Sequence, residues 1–338
     1  MLTLYLDPIF REHDTGRHHP ERPERLREVE LALRRAGLLD RCAVRAAPRA
    51  DEAALATNHD PVYVRRVAQV AEQGGGYLDA DTPVGPRSYE VACHAAGAAL
   101  GAAEEAAGGR AAFALLRPPG HHALADQGMG FCLFNNVALA ARRALTLPGI
   151  QRVAIVDVDV HHGNGTQAAF YEDPRVYFYS THQFPWYPGT GHERETGRGL
   201  GVGTTLNVPL PAGSGDGAFE QARRQLLEPA LRRFGPDLLL VSAGYDAHWR
   251  DPLAHLAVST AGFAATVAHL RDLAAELCGG RLMLTLEGGY DLAALAGSVA
   301  ATCQVLLGEA ADDPLGPAPE PERPLGTLIA RLAALHDL

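Results

Sequence analysis

Arg152–Thr166, with the sequence RVAIVDVDVHHGNGT, is the stretch that decides the fold. Its first half is a run of mainly β-branched residues. This predicts a strand over Arg152–Val160 that is buried on both faces, as in a parallel sheet. Side chains alternate along a strand, so Asp157, Asp159 and His161 are expected to point to the same side. Two carboxylates and an imidazole on a buried side need a partner, and a divalent metal ion is the simplest one. The alternative, a charged strand end that reaches solvent, stays open at this point.

The composition narrows the classes of protein to consider. The 338 residues are 47% hydrophobic, enough for one large α/β domain or two smaller ones. The net charge of −10 supplies no basic surface for nucleic acid, and no apolar run is long enough to predict a membrane span. The five cysteines are scattered without a CxxC pair. This favours a reducing compartment, expected to be the cytoplasm, over a disulfide framework or a cysteine-rich zinc site.

Strand-like and helix-like patterns alternate along most of the chain. This alternation predicts an α/β fold with a single parallel sheet and helices on both of its faces. The opening residues MLTLYLDPIF predict a first strand rather than a signal peptide. The other predicted strands are Ala111–Leu116, Arg152–Val160, Val176–Ser180, Leu206–Leu210, Asp237–Ser242 and Leu282–Leu286. The predicted helices are Glu21–Leu38, Asp60–Gln73, Ser88–Ala107, Phe134–Leu145, Gly217–Phe234, Thr260–Cys278 and Leu292–Leu307.

One domain is expected over residues 1–308, because nothing in that range reads as a linker. Ala311–Pro324, ADDPLGPAPEPERP, is rich in proline and acid and predicts a semi-extended surface segment. A short helix is predicted at Thr327–Leu335. Residues 309–338 are therefore expected to pack as a surface segment and a terminal helix on the same domain.

Polar side chains follow four of the predicted strands. In parallel sheets, ligands bind at the edge where the strands end, so these side chains are expected to converge there. Aspartate and histidine without cysteine favour a zinc-like catalytic site or another borderline divalent ion, whereas calcium would take more oxygens and no histidine. Gly163-Asn164-Gly165 is too short for a dinucleotide fingerprint. The side chains delivered by the four strand ends are His121 and His122; Asp157, Asp159, His161 and His162; Asp246; and Glu287 and Tyr290.

Six motifs occur in a fixed order: RPPGHHA, GFCLFNNVA, VDVDVHHGNGT, YPGTG, SAGYDAH with DPL, and LEGGYD. Together they resemble the histone deacetylase superfamily, which includes bacterial acetoin-utilisation proteins and acetylpolyamine amidohydrolases. The resemblance spans Pro20–Leu307 and implies an arginase-like α/β fold with zinc at the carboxyl edge of the sheet. HHGNG in place of HHGDG is closer to the class II deacetylases and their bacterial relatives.

The resemblance also implies a role for each motif residue. Asp159, His161 and Asp246 would be the metal ligands. His122 would be the general base and then the general acid, and Tyr290 would donate to the carbonyl and its oxyanion. Behind them, Asp157 would accept a hydrogen bond from His121. A tuning position would be Asn164, because a neutral amide stabilises an imidazolium less than a carboxylate does. The implied substrate tunnel comprises Gly130, Phe131, Tyr187, Leu253 and, at its rim, Asp81. The implied potassium site comprises Asp157, Asp159, His161, Ser180 and Thr181.

The expected function is a metal-dependent amidohydrolase, with zinc or ferrous iron, that frees acetate or a related acid from lysine-like amines. Two aromatic walls suit a slender aliphatic stem, and Leu253 offers no charge for a polyamine ammonium. A deacetylase of acetylpolyamines or small metabolites is the alternative within this class. An arginase-like ureohydrolase would need a second metal, and a catalytically silent sensor of acylated amines would not need His122 or Tyr290. Beyond the substrate, a homo-oligomer remains open.

Overall fold

Ten strands form the β structure of the computed structural model, which describes residues 1–338. Eight of them make one sheet in the order β2-β1-β5-β10-β9-β6-β7-β8, and every pairing in that sheet is parallel. The remaining two, β3 and β4, form a separate antiparallel hairpin. The strands are β1 (Thr3–Tyr5), β2 (Ala43–Arg45), β3 (Gly76–Asp79), β4 (Thr82–Val84), β5 (Ala112–Ala114), β6 (Val153–Asp157), β7 (Val176–Gln183), β8 (Thr205–Leu210), β9 (Leu238–Ala243) and β10 (Leu282–Leu286).

Helices flank this sheet, which confirms the predicted α/β architecture. One group packs α4 against α5, and another packs α1 against α10 and α10 against α9. None of the helices is long and apolar enough to cross a lipid bilayer. The helices are α1 (Glu24–Arg35), α2 (Glu52–Leu55), α3 (Pro61–Glu72), α4 (Ser88–Ala107), α5 (Asn136–Ala144), α6 (Asn164–Phe170), α7 (Asp216–Ala222), α8 (Glu228–Phe234), α9 (Thr260–Cys278), α10 (Leu292–Leu306) and α11 (Leu328–Leu335).

The core explains why the central strands show no alternation in sequence. Every residue of β5, β6, β9 and β10 is buried, because helices cover both sides of these strands. Most of the buried apolar side chains form a single cluster of 77 residues. A smaller cluster of 13 residues lies around α3 and the hairpin. The four central strands are thus rigidly held at the level where the polar clusters begin.

Several observed elements differ from the predicted ones, and β2, α2 and α6 were not predicted. The single helix predicted over Gly217–Phe234 is two helices, α7 and α8, joined by a π turn at Arg223–Leu227. Pro229 has no N–H, so it cannot donate to the carbonyl one turn earlier, and the chain widens there. The β3–β4 hairpin was not predicted, because its two short strands carry proline and glycine and show no clear alternation.

Residues 309–338 lie against the rest of the chain. The Glu322 carboxylate accepts hydrogen bonds from the backbone N–H groups of Gly217 and Ala218 at the start of α7. Arg331 pairs with Glu193 at 2.7 Å, and α11 buries Leu328, Ile329 and Leu332. The boundary drawn at residue 308 stays a prediction.

Candidate active site

The order of the strands accounts for the convergence of the polar clusters. The four strands that precede them are consecutive in the sheet, as β5-β10-β9-β6. Since these strands are parallel, their carboxyl ends lie side by side at one edge. The loops beyond that edge bring together the two histidine pairs, Asp246 and Tyr290.

Asp159, His161 and Asp246 form a buried cluster whose ligand atoms all lie within 4.8 Å of one another. The Nδ1 atom of His161 is 3.1 Å from Oδ1 of Asp159 and 3.2 Å from Oδ2 of Asp246. Two ligands about 2.0–2.2 Å from a tetrahedral zinc ion are about 3.4 Å apart, so these separations fit such an ion. One nitrogen and two oxygens are also donors that zinc accepts.

The charge of the cluster points the same way. Burial alone would lower the pKa of His161, but the Asp159 and Asp246 carboxylates raise the pKa to about 10. The cluster therefore attracts positive charge. A divalent cation satisfies the same need for positive charge, which supports the fit of the three residues to a metal.

Strand alternation does not set the direction of Asp157, Asp159 and His161, so that prediction is wrong. The strand predicted to reach Val160 ends at Asp157, so Asp159 and His161 lie in bends beyond it. Each carboxylate instead accepts a hydrogen bond from the backbone N–H two residues later. The Asp159 N–H donates to Asp157 Oδ1, and the His161 N–H donates to Asp159 Oδ1. These local turns, typical of aspartate, compete with continuation of the strand and set the three side chains in place.

His121 lies behind the metal-type cluster, where the Asp157 carboxylate accepts a hydrogen bond from its Nδ1–H at 2.9 Å. Burial would lower the pKa of His121, but the nearby carboxylates of Asp157 and Asp159 raise the pKa well above its usual value. His121 therefore carries a positive charge. The arrangement matches the hydrogen bond expected between His121 and Asp157.

His122 has the opposite electrostatic surroundings. Burial lowers its pKa well below the usual value, and the neighbouring His121 and His161 lower it further. Its Nδ1–H donates to the side-chain oxygen of Asn164 at 2.8 Å, a partner without charge. This bond fixes the tautomer and leaves Nε2 with a free lone pair, so His122 is a neutral imidazole able to accept a proton.

Tyr290 lies in a turn that begins at Glu287 and contains two glycines. Burial raises the pKa of the Tyr290 phenol well above its usual value, so the hydroxyl stays protonated and can donate a hydrogen bond. A guanidinium from α1, Arg25, holds this turn by donating to the carbonyls of Gly289 at 2.7 Å and Glu287 at 2.6 Å. The Glu287 carboxylate in turn accepts a hydrogen bond from the His121 backbone N–H at 3.1 Å.

A narrow cavity of about 250 Å³ leads to these groups. The Phe131 ring stands perpendicular to Tyr290 at 5.7 Å, and the Tyr187 ring stands perpendicular to His122 at 5.2 Å. Gly130 has a φ of 55° and faces the His122 ring so closely that a Cβ atom would overlap it. All five residues of the expected tunnel line this cavity. The full lining is Asp81, His122, Gly130, Phe131, His161, Trp186, Tyr187, Leu253 and Tyr290.

The Asp81 carboxylate is partly committed to the protein itself. It accepts a hydrogen bond from the Gly130 backbone N–H at 3.2 Å and from the Thr82 hydroxyl at 2.8 Å. Two nearby carboxylates do not line the cavity: Glu193 pairs with Arg331, and Glu195 accepts a hydrogen bond from the Gln167 amide at 2.7 Å. Asp81 is therefore the one carboxylate that lines the cavity away from the metal-type cluster.

Two residues that were expected to bind potassium, Ser180 and Thr181, lie on β7 next to β6. Ser180 is the register partner of Asp157 on β7, and its hydroxyl is hydrogen-bonded to His182 at 2.9 Å. The Thr181 hydroxyl oxygen is buried without a hydrogen-bond partner. The ion-binding role of Ser180 and Thr181 stays a prediction.

The sequence reasoning missed two residues of this region. Trp186 lines the cavity and donates from its indole Nε1–H to the Leu253 carbonyl at 3.0 Å. Its position directly before Tyr187 was a usable signal. Arg25 carried no such signal, because it comes from a helix 262 residues before Glu287 in the chain and acts on backbone carbonyls.

Comparisons with known proteins agree with this geometry. The Histone deacetylase domain matches residues 19–306, a range that contains all four strand ends. Histone deacetylase 10, chloroplastic, of Oryza sativa subsp. japonica is 53% identical over 67% of this chain, and the match spans 52% of the rice protein. The histone deacetylase-like amidohydrolase of Pseudomonas aeruginosa is 44% identical over 81% of this chain and 73% of its own length. The crystal structure of the HDA15 HD domain superposes with a TM-score of 0.90 at 34% identity, over 99% of this chain and 94% of that one.

Proposed function

Because this chain belongs to the histone deacetylase family of deacetylases and amidohydrolases, we propose that it is a zinc-dependent enzyme that removes acetyl or related acyl groups from lysine-like amines. The observation that carries the proposal is one juxtaposition. A metal-type cluster, a neutral histidine and a protonated tyrosine meet at the inner end of a narrow cavity. These are the groups that amide hydrolysis requires.

Asp159, His161 and Asp246 are the residues that would hold the ion. Zinc is favoured because three protein ligands of mixed nitrogen and oxygen type are typical of catalytic zinc, and ferrous iron is the alternative. When bound, such an ion supplies Lewis-acid activation of a water molecule and of the substrate carbonyl. Potassium beside Asp157, Ser180 and Thr181 would be structural.

His122 moves the proton. As a neutral imidazole held by Asn164, it accepts a proton at Nε2 from the attacking water. The imidazolium then returns the proton to the departing amine nitrogen, which leaves as a free amine. General base catalysis of this kind contributes roughly 10²–10⁴-fold. Burial, and then the neighbouring His121 imidazole, lower the pKa of His122 and keep the base neutral before the reaction begins.

Tyr290 stabilises the charge that develops on the substrate. Its hydroxyl donates a hydrogen bond to the carbonyl oxygen, and this bond strengthens as the oxygen becomes an oxyanion. One well-placed donor of this kind lowers the barrier by about 3–4 kcal/mol. The raised pKa of the phenol keeps its proton available across the working pH range.

The cavity supports an aliphatic amine stem as the substrate. Phe131 and Tyr187 provide aromatic walls that exclude water around a chain of methylene groups. Leu253 at the rim offers no charge to a polyamine ammonium, and the Asp81 carboxylate is engaged by the Gly130 N–H and the Thr82 hydroxyl. Both features favour acyl-lysine over acetylpolyamines or small metabolites. We place the activity in the cytoplasm, and a homo-oligomer stays a prediction.

A panel of amides tests this proposal. The zinc-loaded protein is assayed on acetyl-lysine peptides, longer acyl-lysine peptides, acetylpolyamines and small acetylated metabolites, beside His122→Ala and Tyr290→Phe. We expect turnover of acetyl- or acyl-lysine peptides and a large loss of kcat in both variants. Turnover of polyamines alone would reassign the substrate. A zinc-bound protein without any amide turnover would instead indicate a sensor of acylated amines.

A further inference from the structure

Asp251 is a buried carboxylate that the proposed reaction does not use. It lies in the loop after β9, between Asp246 and the rim residue Leu253, and it is 7% exposed. No basic side chain pairs with it, since the adjacent Arg250 pairs with Asp291. Burial of a carboxylate without a cation costs free energy unless hydrogen bonds compensate it. The hydrogen-bond partners of Asp251 therefore indicate its structural role.

Its partners are backbone N–H groups from two loops. Oδ2 accepts from the Tyr290 N–H at 2.7 Å and from the Asp291 N–H at 3.3 Å. Oδ1 accepts from the Leu253 N–H at 3.0 Å. Burial and the nearby Asp246 carboxylate raise the pKa of Asp251 to about 7, and the hydrogen bonds from these three donors oppose that rise. One side chain therefore joins the loop at the mouth of the cavity to the turn that carries the reactive tyrosine.

The turn that carries Tyr290 needs such support. Gly288 and Gly289 precede the tyrosine, and Gly289 has a φ of 120°, so the backbone has little conformational preference of its own. Arg25 binds the carbonyls on one side of the turn, and its guanidinium lies 5.0 Å from the centre of the Tyr290 ring. Asp251 binds the N–H groups on the other side. The turn is thus held between the Arg25 guanidinium and the Asp251 carboxyl group.

The Asp251 contacts continue to the mouth of the cavity. The Leu253 carbonyl accepts a hydrogen bond from the Trp186 indole at 3.0 Å. A chain of hydrogen bonds therefore runs from the outer wall of the cavity to the phenol at its inner end, through Trp186, Leu253, Asp251 and Tyr290. A role limited to folding is the competing explanation, because Tyr290 and Asp291 also precede the first turn of α10.

We propose that Asp251 is a positioning residue for Tyr290, whose phenol it holds at the substrate carbonyl by binding the backbone of the tyrosine turn. The inference rests on the proposed function, since it assigns Asp251 to the oxyanion step of that reaction. Asp251→Asn keeps one acceptor oxygen but replaces the other by an NH2 group and removes the charge that strengthens these hydrogen bonds. The turn is therefore held less tightly, and the phenol is not removed.

Hydrogen exchange tests the contact without relying on activity. The amides of Tyr290 and Asp291 are followed in the zinc-loaded protein, in Asp251→Asn and in the control Asp216→Asn. Asp216 is a matched carboxylate that accepts from the Ser259 N–H at 2.8 Å and from the Ser259 hydroxyl, at the start of α9. We expect exchange at the tyrosine turn to rise roughly tenfold in Asp251→Asn alone. Unchanged exchange there would overturn the inference.

A double-mutant cycle with Tyr290→Phe then separates positioning from folding. We expect Asp251→Asn to lower kcat by roughly 10–100-fold and to change KM by less than about threefold. This loss of kcat is smaller than the loss expected when an oxyanion donor is removed altogether. In the Tyr290→Phe background, the same change should cost less than about twofold, because the phenol it positions is gone. Equal losses in both backgrounds would contradict the inference.

Two further outcomes are distinguishable. If Asp251→Asn does not fold, the cycle is run with Asp251→Glu, which keeps the charge but moves it by one methylene, and the same non-additivity is required. If the unaltered protein hydrolyses no amide, the proposed function fails. The exchange measurement alone then decides whether Asp251 holds the tyrosine turn.

Discussion

Two His-His pairs lie at the same edge of the sheet, yet their four rings have four different environments. After β5, His121 bonds the Asp157 carboxylate, whereas His122 bonds the neutral Asn164. After β6, His161 faces the carboxylates of Asp159 and Asp246, whereas His162 bonds the Thr190 hydroxyl and the Gln167 amide oxygen.

The hydrogen-bond partner of each ring, and not its place in a His-His pair, therefore sets its protonation behaviour. Carboxylates raise the pKa of His121 and His161, so these two rings attract positive charge. Neutral partners leave His122 and His162 with lowered pKa values, because burial dominates. Of the neutral rings, only His122 lines the cavity, which is why we propose it as the base.

Replacing His161 should have the largest effect. His161→Ala removes the only nitrogen of the metal-type cluster, so we expect the protein to lose its ion. Loss of the ion should remove several kcal/mol of transition-state stabilisation and lower kcat/KM by at least about 10⁴-fold. His162→Ala, the matched variant of the same pair, should keep the ion. Elemental analysis of both purified proteins checks this, and equal metal content would break the distinction within the pair.

His122→Ala should have the next largest effect, and of a different kind. We expect kcat to fall by roughly 10²–10⁴-fold while the metal content stays that of the unaltered protein, because His122 moves a proton and holds no ion. Steady-state kinetics and elemental analysis on one preparation decide the point. A variant that loses its metal along with its activity would show that the roles of His122 and His161 were confused.

The neutral partner of His122 provides a smaller and more specific test. Asn164→Asp adds a carboxylate at the 2.8 Å hydrogen bond, which stabilises the imidazolium and raises the pKa of His122. Since the base must be neutral, the acidic limb of the kcat/KM profile should move to higher pH by roughly one unit. Asn58→Asp adds the same charge beside Arg142, away from the cavity, and should leave the profile in place. A shift in both variants, or in neither, would argue against His122 as the titrating group.

His162 should matter for stability alone. Burial lowers its pKa to about 4, although Glu195 opposes this shift. Below about pH 6.5, His162 binds a proton in the unfolded chain but not in the folded chain. The contribution of the neutral His162 ring to folding stability is therefore fully present above pH 6.5 and is lost as the pH falls toward 4. His162→Gln should remove that dependence and cost about 1–3 kcal/mol at pH 7. Urea unfolding of metal-free protein at pH 7 and pH 5 measures both quantities, and an unchanged pH dependence would contradict the assignment.

The two pairs also mark the limit of sequence reasoning. The convergence of the polar side chains could be predicted because acids and histidines follow buried strands, and parallel strands end at a common edge. The choice of Asp159, His161 and Asp246 as metal ligands came from the resemblance of the motifs to a known family. The direction of Asp159 and His161 was expected from strand alternation, whereas backbone turns set it. Arg25 could not be predicted, because it acts on backbone groups of a distant turn and such contacts leave no spacing in the sequence. Asp251 begins the DPL motif, but nothing in the sequence indicates that it binds the backbone of a turn 39 residues later.

Metal titration tests the central claim most directly. Protein stripped with a chelator is titrated with zinc, and hydrolysis of an acetyl-lysine peptide is followed at each addition. We predict no turnover in the stripped protein, a linear rise to one equivalent of zinc per chain and a plateau thereafter, as a single cluster of Asp159, His161 and Asp246 requires. Full activity in the stripped protein would contradict the account. A requirement for two equivalents would point to a two-metal ureohydrolase instead.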